Sequence, residues 1–156
     1  MKENPADQTT RDRLEPGQLS IDGFLGSDKR PIADIIAADT GIVEAEDLTV
    51  EQLGNFLENL HQTADAGWEG RVPMFDGKIS VRSDETLGQI PCPFACGAHC
   101  HKAEIAVKDA DGNDLLLFTP LDAHLITAHG FFEGKGAHYR IDPKELIALY
   151  RLCEGE

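Results

Sequence analysis

The sequence predicts an α+β fold, and three observations predict it. Apolar residues recur at helical spacing in the first half, as in Leu53, Phe56, Leu57 and Leu60. They alternate with polar residues in the middle, as in Val72, Met74, Ile79 and Val81. Helical spacing then returns after Thr119 and persists towards residue 152. Helical and strand periods occupy separate stretches, which is the pattern of helices segregated from antiparallel strands.

Each element follows from local signals. Residues 1–18 are polar, carry Pro5 and Pro16, and read as a disordered tail. Gly23 and Gly26 punctuate the next segment. Pro31 opens a helix, Ile32, Ile35 and Ile36 share a face of it, and Gly41 is the expected end. Thr49 and Gln52 form a capping-box pattern for a helix over about 50–66 that Gly67 stops. Asp76-Gly77 is a hairpin turn signal between the strands around Val72–Met74 and Ile79–Val81. After the Cys-rich knuckle PCPFACGAHCH, a second hairpin turns at Ala110–Asn113 between AEIAVKD and DLLLF. Thr119 caps a helix that begins at Pro120, presents Leu121, Leu125 and Ile126, and ends at Gly130. Asp142-Pro143 opens the last helix. The expected organisation is a tail (1–18), a helical half (19–68) and a hairpin-bearing half (69–156), the two halves able to share one core.

With 156 residues the chain suits one domain. No apolar run is long enough to span a membrane, and the N-terminal segment lacks the apolar stretch of a signal peptide. Cytoplasmic residence is the expectation. There, a close cluster among the four cysteines points to metal or redox chemistry rather than to disulfides. Net charge is −14, from 28 Asp and Glu against 14 Lys and Arg, and no basic run exists beyond Asp28-Lys29-Arg30. Such a surface repels phosphate backbones and anionic lipid, so nucleic acid and membrane are not the expected partners.

The chemistry lies in Cys92, Cys96, His124 and His129. Thiolate and imidazole are the donors Zn²⁺ prefers, and four of them close a tetrahedron. A Cys-x-x-x-Cys knuckle, a hairpin and a helix with two histidines at a permitted spacing resemble the ββα zinc finger of two Cys and two His over residues 90–130. The resemblance implies a structural zinc ion on those four residues. One departure is large: 27 residues separate Cys96 from His124, where the family has about twelve. The hairpin is therefore longer, or it follows the knuckle instead of containing it. Base reading is not carried over, because the helix start presents Pro120, Leu121, Asp122 and Ala123. Cys100, His99 and His101 crowd the knuckle as alternate ligands.

Other motifs carry less. Asp109–Asp114 has the acids of a calcium loop without its required Gly and Glu, and reads as a turn. The Cys92, Cys96, Cys100 spacing does not match a radical iron–sulfur motif. His99-Cys100-His101 offers a thiol beside imidazoles, which alone defines no catalytic arrangement. The loop carrying Phe131, Phe132, Lys135, His138 and Arg140 is a candidate surface for a protein partner or a small ligand. The resulting expectation is a non-catalytic zinc-binding protein whose structural site supports an interaction surface. The alternative is a small zinc hydrolase with three protein ligands, a metal-bound water, and Glu133 or Asp122 as general base.

Overall fold

A computed structural model describes residues 3–68 and 70–154. Among them the elements run α1 (Pro5–Leu14), α2 (Ile32–Ala45), α3 (Val50–Ala66), β1 (Val72–Met74), β2 (Ile79–Pro91), β3 (His99–Asp109), β4 (Asp114–Phe118), α4 (Pro120–His129) and α5 (Pro143–Glu154). The fold is α+β, with four antiparallel strands in the order β1-β2-β3-β4. No helix among the described residues is long and apolar enough to cross a membrane.

Residues 5–14 correct the expected disordered tail, because they form α1. The Asn4 side chain accepts the Asp7 backbone N–H at 2.8 Å, and Pro5 opens the helix. Polar composition disguises the segment, since one fully buried residue, Leu14, is its apolar anchor. Arg13 adds a tie by donating to the Pro93 carbonyl in the knuckle. The second correction concerns α2, which passes through Gly41 to Ala45. A Cβ at Gly41 would meet nothing within 4 Å, so this is an exposed helical position. There glycine costs only about 1 kcal/mol against alanine. Ile32, Ile35, Asp39 and Val43 make the buried face.

Helix α3 forms as its pattern requires. Thr49 Oγ1 accepts the Gln52 N–H at 3.1 Å, and Gln52 Oε1 accepts the Thr49 N–H at 2.8 Å. Leu53, Phe56, Leu57, Leu60 and Ala64 are buried against the sheet and α5, each large side chain contributing about 1.5–3 kcal/mol of apolar burial.

Both expected hairpins form, β1–β2 and β3–β4, and a further pairing joins them into one sheet. Strands β2 and β3 pair from Ile79↔Asp109 to Pro91↔His99, so the knuckle is the tip of one long hairpin. The hairpin contains the knuckle, and β4 adds a further strand before α4, which together account for the long Cys-to-His separation. A bulge lies between Glu85↔Ala103 and Gln89↔His101, where Thr86, Leu87 and Gly88 oppose Lys102 alone. On β3 the inward row holds Ala103, Ile105 and Val107, and by the two-residue period His101 belongs to the same face.

Two apolar clusters result. The larger joins α3, the sheet, α4 and α5 through residues such as Leu57, Ile79, Ile105, Ile126 and Leu146. The smaller joins Leu14, Phe24, Ile35, Cys92, Leu121, Leu125 and Phe131. Helix α4 lies between them, with Ala123 and Ile126 in one and Leu121 and Leu125 in the other.

Candidate metal centre

The knuckle is shaped by backbone. Cys92 N–H donates to the Ala98 carbonyl at 2.9 Å, and Ala95 N–H donates to the Cys92 carbonyl at 3.0 Å. Ala95 (φ 58°) and Gly97 (φ 91°) take left-handed conformations that fold the tip back on itself. Opposite stands α4, started by a second capping box: Thr119 Oγ1 accepts the Asp122 N–H at 3.1 Å, and Asp122 Oδ2 accepts the Thr119 N–H at 3.0 Å. Gly130 at φ 63° ends the helix in a left-handed cap directly after His129.

These two pieces bring all four predicted ligands together. Cys92 Sγ lies 3.4 Å from His129 Nε2, and Cys96 Sγ lies 3.3 Å from His124 Nε2. The four donor atoms all lie within 4.8 Å of one another. A tetrahedral zinc with its usual bond lengths separates sulfur from nitrogen by about 3.5 Å. The donor set therefore fits a four-coordinate ion.

The surroundings favour ligand chemistry. Burial lowers the pKa of His124 and of His129, which favours the neutral imidazole that a metal ligand requires. Burial pushes the Cys92 thiol up to about 11. An arriving metal must therefore displace a proton from that sulfur. The His129 ring stacks on Phe94 at 4.4 Å and 15°, and Phe94 in turn meets Phe131 edge-on at 5.5 Å. This packing constrains the plane of the imidazole.

The alternate ligands separate from this set. His99 is exposed, and Cys100 is half-buried with its thiol pKa raised chiefly by burial; neither contributes to the four-donor group. His101 faces away from the knuckle into a second group with His61 and Asp65, whose donor atoms also lie within 4.8 Å of one another. His61 and Asp65 belong to no motif. The signal that finds them is phase: they stand four apart on α3, and His101 falls in the inward row of β3.

The loop after α4 corrects the candidate interaction surface. Phe131 and Phe132 are interior, one in each apolar cluster. Arg140 is held inward by Asp39 and by the Glu133 carbonyl, the latter at 2.8 Å. Only Lys135 and His138 of that set are exposed. Comparison of the chain with protein-family models, curated proteins and solved structures found no match.

Asp122 and Glu133 are each 2% exposed and hydrogen-bond one another. Burial raises the pKa of both, that of Glu133 well above the ordinary carboxyl range. The cavity that Glu133 lines, of about 500 Å³, is bordered by Phe24, His101, Glu104, Leu121 and Tyr139 and by none of the four Cys and His donors.

Proposed function

We propose that this is a non-catalytic zinc-binding protein in which one zinc ion, held by Cys92, Cys96, His124 and His129, staples the tip of the β2–β3 hairpin to α4. The observation that carries this reading is the convergence of the four donor atoms within 4.8 Å. Four protein donors complete a tetrahedron and leave no position for a reacting water, which is the arrangement of structural sites. The order of parts, two cysteines at a hairpin tip and two histidines on the following helix, supports the likeness to the ββα zinc finger, with β4 as the inserted strand. The ion supplies folding free energy and pins the loop after Gly130, whose exposed Lys135 and His138 face a protein partner or a small ligand.

The hydrolase alternative has less support. Glu133 lines a cavity that none of the four donors borders, and Asp122 is engaged as a helix cap. Metal analysis of purified protein, combined with thiol titration, tests the reading. About one zinc per chain should leave as Cys92 and Cys96 are modified, and Cys92→Ser should lose that zinc and melt at lower temperature. Zinc content indifferent to thiol modification, with freely reactive thiols in the folded protein, would overturn it.

A further inference from the structure

We propose that His61, Asp65 and His101 form a second metal site, which takes a divalent first-row transition ion and leaves coordination positions open to a cavity. His61 Nε2 is 3.2 Å from His101 Nε2 and 3.2 Å from Asp65 Oδ2, and His101 Nε2 is 3.6 Å from the same oxygen. Three atoms so spaced lie about 1.9 Å from a common centre, so an ion at the usual 2.0–2.1 Å sits just off their plane.

A carboxylate also stands behind one of the two imidazoles. Glu58 Oε1 lies 3.2 Å from His61 Nδ1, where it can accept the ring proton when Nε2 serves as a ligand. That is the carboxylate–histidine pairing that orients metal-bound imidazoles. His61 Nε2 itself faces both the Asp65 carboxylate oxygen and the His101 ring nitrogen at 3.2 Å. A cation at the centre satisfies all three donors at once.

A second observation is independent of those distances. Among the described residues the buried side-chain oxygens without a hydrogen-bond partner are Asp65 Oδ1 and Ser83 Oγ. Both residues line one cavity of about 470 Å³, together with Trp68 and Glu85. Buried polar atoms are normally satisfied, so two orphans at one cavity point to a polar occupant. Glu85 Oε1, 3.7 Å from His101 Nε2, is a further oxygen at the rim. Two imidazoles and one carboxylate suit zinc, iron or manganese, and three protein donors leave room for water or a substrate oxygen. This distinguishes the site from the closed Cys and His centre.

Cobalt titration of the metal-free full chain separates the two centres. A thiolate ligand gives cobalt an intense charge-transfer absorption, whereas imidazole and carboxylate give only weak bands. We expect two bound equivalents by equilibrium dialysis, one with the thiolate absorption and one without. His101→Ala and Asp65→Asn, checked for fold by circular dichroism, should each weaken the second equivalent by about 100-fold or more and keep the thiolate absorption. Asp65→Asn is nearly isosteric, so it remains informative if the alanine variant misfolds. A single equivalent that carries the thiolate absorption, or a second one indifferent to both substitutions, would overturn the proposal. An equivalent that depends on His101 and Asp65 while the thiolate absorption is absent would uphold this site and overturn the zinc staple instead.

Discussion

Glu133 combines three unfavourable conditions. It is buried, its backbone is left-handed at φ 71°, and its carboxyl faces that of Asp122. Arg140 offsets part of this through the Glu133 carbonyl. Because the folded-state pKa of Glu133 is raised, its favourable contribution is fully present below the ordinary carboxyl pKa. It is lost as pH rises through the folded value. Glu133→Gln should therefore change little near pH 4 and stabilise the protein by about 1–3 kcal/mol near pH 8. Denaturant melts across that range check it, and a variant less stable at both ends would contradict the account. None of this was legible in FFEGKG, because burial of a loop carboxylate depends on what packs over it. Cys92, Cys96, His124 and His129 were legible because ligand type and spacing are local features. His61 and Asp65 were not, since a helix presents many polar pairs at four-residue spacing and only the tertiary partner distinguishes one of them.

At the scale of elements, α3 and α4 approach at Gly54. A Cβ there would stand 1.7 Å from Thr127 Oγ1 and 2.8 Å from Thr127 Cβ. Gly54→Ala should therefore push the helices apart and cost about 1–3 kcal/mol. Adding Thr127→Ala should recover only part of this, because the hydroxyl goes and the Thr127 Cβ position stays; chemical denaturation of the single and double variants measures it. The spacing matters beyond stability, since α3 carries His61 and Asp65 while α4 carries His124 and His129. Helices α3 and α4 were readable from capping boxes and apolar period. The outer half of β2 was not, because SDETLGQIP shows no alternation and Leu87 is 99% exposed. Its strand character comes from pairing with β3, a non-local cause.

At the scale of the whole molecule, the smaller apolar cluster is where the N-terminal helix, α2, α4 and the knuckle meet. Leu14 is fully buried in the same cluster as Cys92. Leu14→Ala should cost about 2–5 kcal/mol and speed zinc release to a chelator, read by stopped-flow with a chromogenic dye. Zinc release at the parental rate in the destabilised variant would show that α1 does not brace the knuckle. The α+β class and the order of helices and hairpins followed from period changes along the chain. The packing of residues 5–14 against the knuckle did not, since a single leucine in a polar decamer carries no periodic signal.

The two-residue alternation of β3 has a further consequence. His101 reaches α3 only because it lies an even number of residues from Ala103, Ile105 and Val107. Losing or gaining one amino acid between His101 and Ala103 would present Cys100 or Lys102 to α3 in its place. This stretch should accept changes of residue identity more readily than changes of length. The exposed Thr86–Gly88 bulge is where an insertion or deletion can be absorbed while both histidine-bearing faces stay aligned.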